Sequence, residues 1–262
     1  MAEVVIVRDE AEAGELVASA IVELVERRPD AVLGLATGST PLSTYRALAR
    51  RLADEGAPDV ARVRGFALDE YVGLPSGHPE SYRAVIAREV VEPLGLTPEL
   101  VHVPNGEPET IRTAADDYER AIQAAGGVDL QILGIGRTGH IGFNEPGSSL
   151  ASLTRVKTLT EETRADNARF FDSPDDVPMH CITQGIGTIL RARHLVLLAF
   201  GEAKSQAVAD AVEGPLSASR PGSAIQLHPH ATVVLDEAAA SRLDHAAYYR
   251  HAWTHKPDWQ GI

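Results

Sequence analysis

Within LGIGRTGHIGFNEPGSSL, Leu133 to Leu150, an apolar run passes into glycines and is followed by His140 and Glu145. An imidazole titrates near neutrality and can both give and take a proton, while a nearby carboxylate can orient the ring or share its charge. Gly134, Gly136, Gly139 and Gly142 let the main chain turn sharply and approach a ligand, although glycines also simply punctuate loops. A second candidate group, Asp69 with Glu70 in FALDEYVG, follows another apolar run. Two readings are open for such adjacent carboxylates. They are either plain surface charge or, beside low-dielectric walls, a base of raised proton affinity acting on a C–H next to a carbonyl.

Other segments supply groups for an anion. LATGSTP, Leu35 to Pro41, joins an apolar strand, a glycine turn and a helix N-terminus, so Thr37, Gly38, Ser39 and Thr40 form a candidate cradle for a phosphate or sugar. It has neither the Lys of a nucleotide P-loop nor the spacing of a dinucleotide fingerprint. Arg164 and Arg169 in EETRADNARFF, together with Lys204 at a helix start, are cations available to a phosphate; the alternative for the arginines is surface ion pairing. His228 and His230 share a turn around Pro229 without a third ligand nearby, so no metal site is expected.

The elements that must position these groups alternate. Val4 to Val7 reads as a strand and Asp9 as the cap of a helix to about Arg28, with Leu16, Val17, Ile21 and Leu24 at helical spacing. Strands at Ala31 to Ala36 and Val63 to Leu68 flank a helix over Leu42 to Ala53, with Thr40 as its N-cap and Pro41 at its first position. A helix near Ser81 to Glu92, a short strand at Val101 to Val103, and a helix from Thr110 to Ala125 precede the strand Leu130 to Ile135. Strands at His194 to Phe200 and Thr232 to Leu235 flank a helix over Ala203 to Val212. Such alternation predicts a Rossmann-like, doubly wound α/β fold, its mostly parallel sheet covered by helices on both faces. In such sheets ligands gather beyond the carboxyl ends of the strands, which is where each candidate motif lies.

With 262 residues, 44% hydrophobic and 5% aromatic, the chain suffices for one α/β core and reads as a single unit over 1–262. A net charge of −13 argues against partners such as nucleic acid or an anionic membrane. Cys181, alone of its kind, excludes an intrachain disulfide. MAEVVIVRDEAEAGEL lacks a basic start followed by a long apolar run, and no apolar stretch approaches bilayer length, so a cytoplasmic protein is expected.

LATGSTPLSTYRAL, FALDEYVGLPSGHPESYR, LGIGRTGHIGFNEPGSSLASLTRVKTLT, ITQGIGTIL and IQLHPHA, in this order over nearly the full length, resemble the glucosamine-6-phosphate deaminases. The resemblance implies an aldose-to-ketose isomerisation coupled to loss of ammonia, giving fructose 6-phosphate, with no cofactor. Carried over position by position, it implies Asp69 as the base at C2 and His140, with Glu145 as partner, as the ring-opening residue. It also implies Thr37, Gly38, Ser39 and Thr40 as the substrate loop, Arg169 and Lys204 as the phosphate cations, and a lid around Arg169. Two residues before the histidine some relatives carry an Asp; this chain has Thr138, a candidate member of the relay that adds a hydroxyl but no charge. In hexameric relatives an allosteric pocket for N-acetylglucosamine 6-phosphate lies between subunits, and its positions correspond to Ser148, Arg155, Lys157 and Thr158. A homo-oligomer and an allosteric response are therefore open, against the alternative that Arg155 and Lys157 merely alternate along an exposed strand. Three rival readings are a sugar-lactone hydrolase of the same fold, a sugar-phosphate sensor without turnover, and a preference for the galactosamine epimer. The Asp69 segment speaks against the first, and Asp69, His140 and Glu145 together against the second.

Overall fold

The computed structural model describes residues 2–257 and 259–262. Strand β1 (Glu3–Val7) leads into α1 (Glu10–Arg27), whose N-cap Asp9 accepts a hydrogen bond from Glu12 N–H at 2.9 Å. β2 (Val32–Leu35), α2 (Leu42–Leu52) and β3 (Arg64–Ala67) follow. After β4 (Asp69–Tyr71), helix α3 (Tyr82–Ile86) continues through a π-helical turn (Ala87–Val91) into α4 (Glu92–Leu94). β5 (Val101–His102), α5 (Ile111–Ala124), β6 (Leu130–Gly134), β7 (Arg155–Thr158) and α6 (Glu161–Asn167) come next. The chain closes with β8 (His180–Thr183), α7 (Ile186–Ile189), β9 (His194–Ala199), α8 (Ser205–Val212), β10 (Ala231–Asp236) and α9 (Ala246–Thr254).

Seven strands form one parallel sheet in the order β1-β10-β9-β6-β2-β3-β5. Every residue of β2 and β9 is buried, so both faces of the sheet are covered, and this accounts for continuous apolar runs such as LVLL in place of alternation. The chain leaves β2 toward β3 and leaves β6 toward β9, in opposite directions, so the crevice between β2 and β6 is the topological switch point. The LATGSTP and histidine segments open from these two strands.

A second sheet, β4-β8-β7, is antiparallel and was not foreseen from the sequence. Its strands have four residues or fewer, too short for a period to register. Leu68 joins the two sheets. Its N–H donates to Leu35 O at 3.1 Å, extending the main ladder, while its carbonyl accepts from Gln184 N–H at 2.7 Å in the small sheet's direction. The chain therefore changes sheets at Asp69, and this fixes where that carboxylate points. The expected cap of α2 is corrected: the helix starts at Leu42 with Pro41 in the cap position and no side-chain cap, which frees Thr40 to face Gly134. Among the described residues no helix is long and apolar enough to cross a membrane.

Candidate active site

The carboxyl ends of β2 and β6, the start of β4 and the segment 161–171 enclose a cavity of about 700 Å³. Asp69 forms part of its floor and is only 5% exposed. Burial pushes its carboxyl up to about 8; the charge of neighbouring Glu70 adds to this, and a hydrogen bond from Phe143 N–H partly opposes it. Glu70 does different work. Its Oε1 accepts from Tyr71 and Tyr82 N–H at 2.8 and 2.9 Å, and its Oε2 from Arg83 N–H at 2.9 Å, so it ties β4 to the first turn of α3. The sequence pair thus splits into one group held against the cavity and one that holds backbone. Lining the cavity with Asp69, Tyr82 stacks on Phe143 at 5.8 Å between ring centroids, and Tyr71 packs on Phe143 and Phe171 at 5.6 and 5.7 Å. These rings are the low-dielectric wall that makes ionisation of Asp69 costly.

His140 lines the same cavity from the β6 side. A Cβ on Gly136 would fall 2.1 Å from its ring, so only glycine lets the loop fold back with the imidazole lying over it. His140 Nδ1 lies 2.9 Å from Thr138 Oγ1 and 3.5 Å from Glu145 Oε2. The longer contact is an ion-pair distance and not a hydrogen bond; Glu145 Oε2 is buried without a hydrogen-bond partner among the described residues. Its other oxygen accepts a short hydrogen bond from Thr163 Oγ1 and a longer one, 3.4 Å, from Thr160 Oγ1. Burial alone would raise the Glu145 carboxyl, but the close imidazole of His140 and the hydrogen bonds from Thr163 and Thr160 outweigh it, leaving Glu145 below the usual range. The carboxylate stays ionised beside the ring. Thr160 also caps α6, accepting from Thr163 N–H at 3.1 Å, so the wall segment 161–171 is anchored on Glu145.

Of the four cations that line the cavity, Arg88, Arg137, Arg169 and Lys204, the last three form one cluster at its rim. Arg137 pairs with Asp166 at 2.5 Å, and the Arg169 guanidinium lies 4.7 Å over the Phe170 ring. Burial lowers the Lys204 ammonium; repulsion from Arg137 and Arg169 adds to this and Asp166 opposes it. Within this cluster three positive charges face one negative, Asp166, which suits a phosphate; Arg88, Glu80 and Glu89 line the cavity as well. Thr37, Gly38, Ser39 and Thr40 line the same cavity ahead of α2. On a chain of net charge −13 this local cluster gives an anion one favourable approach.

Asp69, His140, Thr37, Gly38, Ser39, Thr40, Arg169 and Lys204 therefore meet at one cavity, with Glu145 and Thr138 behind the histidine. Arg164 points elsewhere, donating to the carbonyls of Val177 and Pro174. Arg137 and Thr163 escaped notice in the sequence. Arg137 sits inside the histidine motif, where the glycines drew attention, and Thr163 is brought to Glu145 only by folding. Ser148, Arg155, Lys157 and Thr158 do not line the cavity. Arg155 donates to Asn144 Oδ1 at 2.7 Å and to Ser148 Oγ at 3.2 Å; Thr158 Oγ1 lies 3.3 Å from His180 Nδ1. Lys157 occupies the middle of β7 opposite Cys181. Of the two histidines weighed for metal, His228 has its ring nitrogens 2.7 Å from the carbonyls of His230 and Ala192.

The family model described as glucosamine-6-phosphate isomerases/6-phosphogluconolactonase matches residues 9–235. The glucosamine-6-phosphate deaminase of Bifidobacterium longum subsp. infantis is 64% identical, with all of both chains covered. That of Streptomyces coelicolor is 62% identical over 99% of this chain and 100% of its own. A solved structure of a monomeric glucosamine-6-phosphate deaminase superposes with a TM-score of 0.88 at 40% identity, covering 91% of this chain and 99% of that one. A 6-phosphogluconolactonase from Leishmania guyanensis shares the fold, with a TM-score of 0.70 at 20% identity over 92% of this chain and 98% of its own.

Proposed function

The chain belongs to the glucosamine-6-phosphate isomerase/6-phosphogluconolactonase family, and from that premise we propose that it is a glucosamine-6-phosphate deaminase, releasing ammonia and fructose 6-phosphate. The observation that carries the choice within the family is Asp69. A buried carboxyl raised to about 8 on the cavity floor suits removal of a carbon-bound proton, a step that hydrolysis of a lactone does not contain.

In this reading residues 1–262 act as one unit, because both sheets contribute walls to the cavity. The rim cations Arg137, Arg169 and Lys204 take the 6-phosphate, and the loop Thr37 to Thr40 takes sugar hydroxyls. His140 moves the C1 hydroxyl proton to the ring oxygen; the C1–O5 bond breaks and C1 becomes an aldehyde. Glu145 stays anionic and steadies the imidazolium that forms during the transfer. The aldehyde acidifies the C2 proton; Asp69 removes it while the C2 ammonium passes a proton to O1, giving the neutral enolamine. Return of a proton at C1 leaves an imine at C2, water adds, and ammonia departs as the ketone forms. A protonated amino group on C2 entering beside Asp69 favours the ionised carboxylate, so the substrate itself prepares the base.

The test is ammonia and fructose 6-phosphate production from glucosamine 6-phosphate by the purified protein, with galactosamine 6-phosphate and 6-phosphogluconolactone in parallel. Ammonia from glucosamine 6-phosphate without lactone hydrolysis is expected. Lactone hydrolysis without ammonia release would sink the proposal.

A further inference from the structure

The Pro- and Ser-rich stretch after α8 lines no part of the cavity, yet it grips the histidine loop at both ends. Gly222 N–H donates to Gly139 O at 2.7 Å, and Gly147 N–H donates to Ala218 O at 2.8 Å. Gly139 and Gly147 hold φ of 83° and 90°, in the left-handed region that side chains resist, so they are the natural hinges of the loop. His140 and Glu145 are strung between them. Their 3.5 Å separation has little slack, since a slight shift of either hinge removes the contact.

Ser223 keeps the grip closed. Its side chain is fully buried, its Oγ accepts from Ser217 N–H at 2.9 Å, and its hydroxyl donates to Ser217 O at 3.1 Å. Arg220 N–H bonds the same Ser217 carbonyl at 3.0 Å, so residues 217–223 form a cross-tied turn. The turn is fastened to α8 by Arg220 Nε, which donates to Asp210 Oδ2 at 2.7 Å, and just past the turn Gln226 Nε2 donates to Ala211 O in α8 and to Gly214 O beyond it, at 2.8 and 2.9 Å. Lys204 immediately precedes that helix. One stiff unit therefore carries a rim cation at one end and the hinges of the histidine loop at the other.

We propose that Ser223 is a positioning residue, which by tying Ser217 fixes the hinges Gly139 and Gly147 and so sets His140 against Glu145. The proposal rests on the reading of His140 as the ring-opening group. Ser223→Ala removes both bonds without adding bulk. Backbone hydrogen exchange at Gly147 and Gly222, followed in ligand-free protein, should accelerate roughly tenfold or more, because these N–H groups report opening of the brace directly. Turnover per binding site, with sites titrated calorimetrically by fructose 6-phosphate, should fall roughly tenfold or more while KM stays within about twofold. A purely structural serine would lower the number of competent sites and leave turnover per site unchanged.

Faster exchange with unchanged turnover per site overturns the positioning role, and unchanged exchange overturns the brace itself. If Ser223→Ala does not fold, Arg220→Gln at the exposed tip loosens the same turn. It should speed Gly222 exchange by a smaller factor, and no change there is equally fatal. The exchange arm needs no substrate, so a parent protein that releases no ammonia defeats the functional reading and leaves the brace to be judged by exchange.

Discussion

The floor and the rim of the cavity solve opposite electrostatic problems. On the floor, Asp69 is walled by aromatic rings, and burial holds its carboxyl at about 8. At the rim, Arg137 and Arg169 are exposed, Lys204 is half-buried, and Asp166 tempers them. A buried group with few partners is reactive because its charge is costly, and the fold carries that cost whether or not substrate is bound. An exposed cation costs the fold little and contributes only when an anion arrives. Changes to the floor should therefore alter turnover and stability together, and changes to the rim should alter affinity alone.

The largest expected effect comes from Asp69→Asn. The amide keeps the shape but takes no proton, so kcat should drop by roughly 10³-fold or more with KM nearly unchanged. The same variant should be more stable. In the folded chain Asp69 holds its proton to about pH 8, whereas the unfolded chain releases it near the ordinary value of 3.8. Between these limits each rise of one pH unit costs the folded state about 1.4 kcal/mol, and the full penalty is present above pH 8. The gain in Tm from Asp69→Asn should thus be small near pH 4, grow to several degrees by pH 8, and then level off. In the parent, kcat/KM should climb with pH, pass half its maximum near pH 8 and level off above that as the free base ionises. A variant that loses activity but shows no pH-dependent gain in Tm would break the contrast between floor and rim.

Next in size is the rim. Lys204→Ala should raise KM for the phosphorylated sugar roughly 10- to 100-fold, as expected for loss of one charge-assisted bond, with kcat changed far less. The penalty should shrink only modestly with added salt, since Lys204 is half-buried and screened less than an exposed charge. Unphosphorylated glucosamine should bind weakly and equally to both proteins. A Tm shift comparable to that of Asp69→Asn would place Lys204 in the structural framework and erase the distinction.

The sequence made the parallel sheet legible because its strands are buried on both faces and read as unbroken apolar runs between helices of regular period. The cavity was legible too, because its groups follow strands at the switch point. The small sheet was not. β4 is three residues long and pairs with β8, more than a hundred positions away, so no local pattern announces it. Glu70 shows the same limit: next to Asp69 in sequence, it was indistinguishable from it until Tyr71 and the first turn of α3 supplied three N–H donors. Arg137 was hidden by its setting among glycines, and the grip of residues 217–223 on the histidine loop is made by main-chain bonds that side-chain types do not encode.

The smallest expected effect tests where floor and rim meet. Thr138 Oγ1 lies 2.9 Å from His140 Nδ1, nearer than Glu145 at 3.5 Å, so the neutral hydroxyl makes the shorter contact and the carboxylate the charged one. Thr138→Val keeps the branched shape and removes only the hydroxyl. If the hydroxyl fixes the ring so that the other nitrogen faces substrate, kcat should fall roughly three- to tenfold, the scale of one neutral hydrogen bond, with KM and the salt dependence untouched. Glu145→Gln should cost more, because it removes the charge that steadies the imidazolium while leaving a group of the same size. The two effects should not add, since both act through one ring nitrogen. A Thr138→Val protein with full turnover, or a double variant whose losses simply multiply, would mean that the hydroxyl belongs to the turn and that Glu145 orients His140 alone.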